Sequence, residues 1–568
     1  MKKEVVIIGG SAAGITAGIT ARRHYPDAKI TLVRKEEQVL IPCGIPYIFG
    51  TVGNPEKNLI PDAILDKNNI ELVKDAVESI DREGKAVVTK SGKRIGYHKL
   101  VLATGSRPIV LPLPGIDKQN VFTVKKDVEY LRGLSQALEK AKDLVVIGGG
   151  FIGVEFADEC KKFNQDLNVT IVELLPHCLM LACDEEFCLQ AEQRLADRGV
   201  KILTGEKAQE ITGDGKAEQV KLASGKSLKA DVVIMGVGVV PNTDLASAAG
   251  LKIGEGKSIH VDQYMRTSDK DIFACGDCCE KFSSFNRAPS GLRLASIAAI
   301  EARIAGANLF YLKRQNEGAI GVFATMVNGL TVGTAGLTEV AAKKAGYDVI
   351  AEFASGPDRH PGGMPDCSDL NVKLLFEKKS GKLLGGQVRG GVSGGELLNA
   401  ISAAIAAGMR ADDVATFQMG THPALTASPI AYQLVNAAEN AVSHIKKPRI
   451  LMVEDDRDFV NAVKAILSSQ PFDVDVAHTR KDAMKKIEEE KPDLLLLDIM
   501  LDEVDDGFTI CRELKSDPEY WSIPILAMSA ISKEAGLDPG LGEHFKADDF
   551  LEKPVKAVDL LEKIKKHL

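Results

Sequence analysis

Apolar residues in this chain fall in short runs that stop at glycines or small polar residues, and their spacing predicts alternating strands and helices. The run from Lys3 to Ile8 meets Gly9-Gly10-Ser11-Ala12-Ala13-Gly14, and Ile15 to Arg23 then reads as a helix start. Leu144-Val145-Val146-Ile147 repeats the device ahead of Gly148-Gly149-Gly150-Phe151-Ile152-Gly153, which opens a helix carrying Glu155 and Glu159. Val101-Leu102-Ala103-Thr104-Gly105-Ser106 and Ile272-Phe273-Ala274-Cys275-Gly276-Asp277 are strands ending in small-residue turns. From Arg449 the alternation resumes: Arg449 to Val453 before Glu454-Asp455-Asp456, Leu494 to Leu497 before Asp498, Ile525 to Met528 before Ser529-Ala530, and a last strand closing at Phe550-Leu551-Glu552-Lys553-Pro554. Four consecutive leucines suit a strand covered on both faces. The predicted class is α/β, with polar groups at strand carboxyl ends, where open parallel sheets place their sites.

At 568 residues and 45% apolar content, the chain is long enough for about three to five domains, and collagen-like, disordered and disulfide-scaffold classes are excluded. Charge is uneven. Residues 448–568 hold 17 basic and 27 acidic residues, a net of −10 in a chain whose total is −8, so the rest is close to neutral. The step falls at His444-Ile445-Lys446-Lys447-Pro448 and marks a domain boundary. No basic patch suited to nucleic-acid phosphates is present. Met1-Lys2-Lys3-Glu4 leads straight into a strand without an apolar leader, and no run of 18 apolar residues occurs, so the expected location is the cytoplasm with no membrane span. Ten cysteines are then expected as reduced thiols.

A strand, glycine turn and helix put exposed amides at a helix N-terminus, where a pyrophosphate binds. The second turn has all three fingerprint glycines, Gly148, Gly150 and Gly153. Twenty residues after Gly153, Val169-Thr170-Ile171-Val172 ends in Glu173, a carboxylate able to accept both ribose hydroxyls and to repel a 2′-phosphate. NADH is therefore expected over NADPH. The first turn has Ser11 at the middle glycine position, and the residue twenty beyond Gly14 is Arg34 rather than an acid. Either Glu36 supplies the ribose contact or Arg34 faces a phosphate. Asp277, after a glycine at a strand end, is placed for a ribityl hydroxyl or a pyrophosphate-linked water.

With these residues the chain resembles the pyridine nucleotide-disulfide oxidoreductases over residues 1 to about 440. The resemblance implies FAD in a first fold (1–115, completed by 251–322), NAD(H) in a second (116–250), and a dimerisation domain (323–445) that makes a homodimer. Gly9 to Gly14, Arg34, Ala103, Thr104, Gly105, Gly276 and Asp277 are the expected FAD contacts, and Gly148, Gly150, Gly153, Glu155 and Glu173 the expected NADH contacts. Leu40-Ile41-Pro42-Cys43-Gly44-Ile45-Pro46-Tyr47 lies where this family brings a thiol to the flavin at a helix start, which would lower the thiol pKa. Gly44 would let backbone approach the isoalloxazine. Gln38 and Ile48 stand where two-cysteine members carry a partner, so the chain resembles the single-cysteine branch of coenzyme A-disulfide reductases, NADH oxidases, NADH peroxidases and polysulfide reductases. Cys43 would alternate between thiolate and a mixed disulfide or sulfenic acid. Ala12 occupies the place of the peroxidase turn histidine, which favours a disulfide or polysulfide reductase. Gly420-Thr421-His422-Pro423 resembles the His-Pro turn that crosses a dimer interface. His422 would be an acid/base near the other subunit's Cys43 or a packing residue, and Ala427 replaces its usual acid. Cys275-Gly276-Asp277-Cys278 has redox or metal spacing but reads as a flavin-binding turn. Cys160, Cys178, Cys183, Cys188, Cys367 and Cys511 read as ordinary thiols.

Three carboxylates converging on one point repel unless a divalent cation sits among them, and Mg²⁺ suits hard oxygen ligands. Residues 448–568 resemble a response-regulator receiver domain with a flavodoxin-like (βα)5 fold. The resemblance implies that Asp498 accepts phosphate from a histidine kinase or small phosphodonor, that Glu454, Asp455, Asp498 and Met500 hold Mg²⁺, and that Ser529 and Lys553 contact the phosphoryl group. Phe550 matches the switch aromatic, and Leu501 to Gly507 replaces the usual Met-Pro segment. No output domain is expected after Leu568, so phosphorylation would act on the flavoprotein itself. The expected activity passes electrons from NADH through FAD and Cys43 to a small disulfide, persulfide or polysulfide. The alternatives are an NADH oxidase acting on O₂ and a redox-sensing signalling protein.

Overall fold

The computed structural model describes residues 3–445, 447–468, 470, 472–501, 506–529 and 547–568; Met1, Lys2, Lys446, Ser469, Pro471, residues 502–505 and residues 530–546 lie outside that set. The class is α/β. A parallel five-stranded sheet has the order Ile272–Ala274, Lys99–Leu102, Glu4–Ile8, Lys29–Arg34, Glu71–Lys74. Its central strands Glu4–Ile8 and Lys99–Leu102 are mostly buried runs of Val, Ile and Leu, as the covered sheet requires, while the edge strand Glu71–Lys74 is only partly buried. The chain leaves this sheet after Lys99–Leu102, builds a second one, and returns with Ile272–Ala274. Helix Ala295–Asn308 then packs against helix Ala12–His24 through small residues, so closely that a Cβ at Gly306 would lie 2.6 Å from the Ala17 carbonyl.

The second sheet is also parallel, in the order Val121–Thr123, Val232–Met235, Asp143–Ile147, Asn168–Val172, Lys201–Leu203. A third, antiparallel sheet runs Val322–Val327, Leu330–Gly336, Leu383–Gly390, Asp369–Glu377, Val349–Pro357. Helices Ser393–Ala406 and Gln433–Val442 cover one of its faces with Leu398, Ile401, Leu434 and Ala437. Lys373, buried on this sheet, pairs with Asp184 at 2.7 Å and with Glu186 and Glu339 at 2.6 Å, which ties the sheet to the start of helix Glu185–Asp197.

The acidic tail forms its own parallel sheet, ordered Asp473–Ala477, Arg449–Val453, Leu494–Asp498, Ile525–Ser529, Asp549–Glu552. That is the flavodoxin-like order, with the site expected where the strand order reverses. Leu494 to Leu497 are fully buried, each contributing roughly 2 kcal/mol to folding. An ion pair between Lys379 and Asp493, at 3.5 Å, joins this unit to the antiparallel-sheet unit. Among the described residues no helix is long and apolar enough to cross a membrane.

Candidate functional site

Three turns converge at the carboxyl edge of the first sheet. In the first, Ser11 precedes helix Ala12–His24, so the amides of its opening turn face outward. Gly9 has φ +114°, and a Cβ there would strike the Ala103 carbonyl; one at Gly14 would strike the Gly9 carbonyl. In the third, a Cβ at Gly276 would lie 2.9 Å from the Ala13 Cβ. The second turn, Ala103-Thr104-Gly105, is anchored by the Thr104 hydroxyl donating to the Asn242 carbonyl at 2.7 Å. Ser106 donates to the Asp277 carboxylate at 2.8 Å, joining the second and third turns. A rim of bare backbone with one carboxylate fits the pyrophosphate and sugar of a dinucleotide.

Arg34 stands beside Gly10 but is fully engaged within the protein. Its buried guanidinium pairs with Asp62 at 2.7 Å and donates to the carbonyls of Glu36 and Glu37, each at 2.9 Å. Of the two first-turn alternatives, a free phosphate-facing arginine is not what the geometry provides, because protein acceptors already occupy the guanidinium.

At the second sheet, Gly153 is needed for helix–strand closeness, since its Cβ would collide with the Gly148 carbonyl. Gly150 faces open space at the start of helix Phe151–Phe163. The Glu173 carboxylate stands over this turn, accepting the N–H of Gly149 and, at 2.7 Å, that of Leu175. Cys178 backs the turn: a Cβ on Gly149 would lie 2.7 Å from its sulfur. The open backbone of this turn fits the pyrophosphate of a dinucleotide.

Cys43 is an exposed thiol on the three-residue 3₁₀ turn Pro42–Gly44. The expected lowering of its pKa is not found. Desolvation and the Glu155 carboxylate push the thiol up, Lys126 pulls it down and Asp277 adds to the rise. A three-residue turn aligns too few peptides for a strong dipole. Gly44 also has another reason: its Cβ would strike the Asn58 side chain, whose amide donates to the Ile41 carbonyl at 3.0 Å.

Helix Phe151–Phe163 turns Glu155, Asp158 and Glu159 towards this loop and the antiparallel sheet. Thr325 donates to Glu155 at 2.9 Å. Burial pushes Glu155 up to about 7 and Tyr47 up to about 12. Thr51 donates to Glu159 at 2.8 Å, and Arg198 pairs with Asp158 at 2.9 Å. Tyr47, Asp158 and Thr325 lacked any motif; only the i, i+3, i+4 spacing of the acids on one helix signalled the cluster.

Cys275 and Cys278 are fully buried, and the Cys278 sulfur bonds the carbonyls of Leu102 and Cys275 at 3.5 and 3.3 Å, so the pair belongs to the turn. Cys279, which sequence reasoning passed over, lies with a buried Lys281–Glu301 ion pair of 2.9 Å whose carboxylate accepts the Gly276 N–H at 2.9 Å. His422 is exposed on its turn; its Nδ1 accepts the Ala424 N–H at 3.2 Å. Leu425 and Ile430 are exposed beside it, and His360 donates its backbone N–H to the Pro423 carbonyl at 3.2 Å. Among the described residues no hydrogen bond links His422 to Cys43 of the same chain.

In the tail, Glu454, Asp455 and Asp498 bring carboxylate oxygens within 4.8 Å of one another. Lys553 pairs with Asp498 at 2.6 Å and with Glu454 at 2.7 Å, and Met500 donates its N–H to Asp498 at 3.0 Å. Burial and the Asp498 charge push Glu454 up to about 7. Ser529 is buried at the end of its strand and Phe550 half-buried on the next. Hard carboxylates of this number fit Mg²⁺, and the exposed Met500 could add only its backbone carbonyl, a thioether being a poor ligand for that ion. The other acidic cluster, Asp184, Glu186 and Glu339, is neutralised by Lys373.

Residues 3–302 match the family described as pyridine nucleotide-disulphide oxidoreductase, 322–430 its dimerisation domain, and 450–565 the response regulator receiver domain. An NADH oxidase of Enterococcus faecalis is 31% identical over 72% of this chain and 94% of that protein. An NAD(P)H coenzyme A polysulfide/persulfide reductase of Pyrococcus horikoshii is 32% identical over 69% of this chain and 88% of that one. The solved structure of an NAD-dependent persulfide reductase from A. fulgidus superposes with a TM-score of 0.72 at 28% identity, covering 97% of this chain and 98% of that chain. With two parallel nucleotide folds, an antiparallel third unit and a receiver at the end, the chain belongs to the pyridine nucleotide-disulphide oxidoreductase family and carries a response regulator receiver domain.

Proposed function

We propose that this chain is an FAD-dependent NADH oxidoreductase that reduces a small persulfide, polysulfide or disulfide through Cys43. The observation that carries the reading is an exposed, solitary thiol on a loop between two glycine-rich nucleotide turns. FAD, when bound, would carry an electron pair from NADH to sulfur. The chain's own residues do the rest. Gly9, Gly10, Ser11, Ala12, Ala13 and Gly14 offer backbone to one dinucleotide, with Asp277 as the polar partner; Gly148, Gly150, Gly153 and Glu173 hold NADH and disfavour a 2′-phosphate. With the acceptor written RS–SR′ (R = H where the attacked sulfur is a persulfide's outer one), the Cys43 thiolate attacks the R-bearing sulfur; a Cys43–S–S–R bond forms, the RS–SR′ bond breaks, and R′S⁻ departs and takes a proton. Two electrons from one NADH then restore Cys43 and release RS⁻. His422, exposed within the dimerisation domain with its Nδ1 accepting the Ala424 N–H, would donate protons at the other subunit's site.

The name of the Enterococcus relative supports a second reading, oxidation of NADH by O₂. Anaerobic NADH oxidation by wild type and Cys43→Ser, offered coenzyme A disulfide, glutathione disulfide, polysulfide or separately air, tests both. Sulfur-dependent oxidation that vanishes with Cys43 supports the first; oxidation in air alone supports the second.

In the receiver, Asp498 would take phosphate from a histidine kinase or small phosphodonor while Glu454, Asp455, Asp498 and the backbone of Met500 hold Mg²⁺. Lys553 would move from carboxylate to phosphoryl oxygen, with Ser529 beside it, and phosphorylation would alter turnover or assembly.

A further inference from the structure

Lys281 and Glu301 pair at 2.9 Å beneath the turn Cys275-Gly276-Asp277, each side chain only 2% exposed. Two charges taken out of water recover little net stability from each other, and apolar residues of the same size commonly serve a core as well. Their hydrogen bonds show where these charges are directed. Lys281 Nζ donates to the Gly276 carbonyl at 2.6 Å and to the Cys279 carbonyl at 3.1 Å, while Glu301 accepts the Gly276 N–H at 2.9 Å. Both polar groups of one glycine therefore end on one ion pair. Gly276 has φ +81°, and its missing Cβ lets the turn sit against Ala13 of the first glycine turn. The next residue, Asp277, is only partly buried; its carboxylate accepts from Ser106 at 2.8 Å and its carbonyl from Arg293 at 3.3 Å. Glu301 belongs to helix Ala295–Asn308, which packs on helix Ala12–His24, so the pair ties the Asp277 turn to the partner of the helix that carries the first turn's amides.

We propose that Lys281 and Glu301 are positioning residues for the flavin: by clamping the N–H and the carbonyl of Gly276, they hold Asp277 in the orientation in which its carboxylate meets bound FAD. This rests on the reading of the first sheet's carboxyl edge as the FAD site. Glycine is the residue least able to hold its own backbone orientation. Left unclamped, the two peptides that flank Gly276 would sample several orientations, and the apparent Kd for FAD would rise by the reciprocal of the fraction in which Asp277 points into the cleft. The pair is neutral as a whole, so it orients the turn without setting a net charge beside the pyrophosphate held by Gly9 to Gly14. A buried lysine or glutamate alone would fix one of the two peptides and add a field of its own.

The test is release of FAD from the loaded full chain on dilution, read as free-flavin fluorescence, with thermal unfolding measured beside it. Lys281→Met/Glu301→Leu removes both charges at nearly constant volume and leaves no charge buried alone. It should stay folded and show a Kd for FAD raised about tenfold, the turn then being competent about a tenth of the time. Lys281→Met/Glu301→Gln keeps an acceptor for the Gly276 N–H and should lose less. Asp277→Ala supplies the readout that a merely structural pair would not move: because the clamp acts through Asp277, adding Lys281→Met/Glu301→Leu to Asp277→Ala should raise the Kd further by less than about twofold. An unchanged Kd in both neutral pairs overturns the proposal, as does a full tenfold addition on top of Asp277→Ala, which would mean that the pair supports the domain rather than Asp277. A wild-type chain that takes up no FAD refutes the reading of the site, and the proposal with it.

Discussion

Alanine at Gly153 and alanine at Gly150 perturb the same turn for different reasons, and the pair separates folding from binding. A Cβ at Gly153 overlaps the Gly148 carbonyl by far more than the few tenths of an ångström that packed neighbours can give, and it sits 3.4 Å from Val146 as well. Helix Phe151–Phe163 must then slide off strand Asp143–Ile147. Overpacking of this kind costs about 1–3 kcal/mol, and the overlap places it at the upper end. A Cβ at Gly150 meets no heavy atom within 4 Å, and the backbone there, φ −72°, suits alanine. Its fold cost is that of a poorer helix cap, at most about 1 kcal/mol. The methyl would nevertheless stand where a pyrophosphate must approach the turn, and loss of one charge-assisted hydrogen bond, about 1.5–3 kcal/mol, weakens NADH roughly tenfold or more. Thermal unfolding and NADH titration of the flavin absorbance read both quantities. Gly153→Ala should unfold several degrees lower; Gly150→Ala should unfold near wild type with a raised Kd for NADH. A Gly150→Ala protein that binds NADH normally, or a Gly153→Ala protein as stable as wild type, refutes the assignment of this turn.

Glu173→Gln should narrow the preference for NADH over NADPH about tenfold, read as the ratio of kcat/KM values, because the repulsion of a 2′-phosphate is gone; an unchanged ratio removes Glu173 from cofactor choice. Lys373→Met leaves three carboxylates facing one another and should lower stability by about 3–5 kcal/mol at neutral pH. Because the fold raises the Lys373 pKa, its contribution is complete below about pH 10.5 and fades only above that, so the difference between variant and wild type in urea unfolding should be flat from pH 6 to 9 except where the carboxylates themselves titrate. Asp498→Asn should abolish labelling by a small phosphodonor, while Asp455→Asn should make it insensitive to Mg²⁺; labelling that persists in Asp498→Asn places the phosphoacceptor elsewhere.

The periodicity of short Val-Ile-Leu runs ending at glycines was enough to read the sheets and both nucleotide turns, because a covered parallel strand leaves no room for polar residues and a helix approaching a strand this closely leaves none for a side chain at Gly14 or Gly153. The tail was as legible, its site residues being tied to strand ends. What stayed hidden depends on partners distant in sequence. Arg34 reads as a phosphate ligand until Asp62, 28 residues on, is seen beside it. Gly44 reads as room for a flavin until Asn58 fills the space. The Cys43 thiol is pushed up first by desolvation and then by Glu155, more than a hundred residues away, and the helix start expected there is only a three-residue 3₁₀ turn.

The most direct test of the account is the chemical state of Cys43 during turnover. NADH-reduced protein mixed anaerobically with a substoichiometric disulfide or polysulfide and quenched with acid should yield a Cys43 peptide bearing half of the acceptor as a mixed disulfide, and one further NADH per site should remove it. A Cys43 peptide that stays unmodified while NADH is consumed and sulfur is reduced would contradict the account.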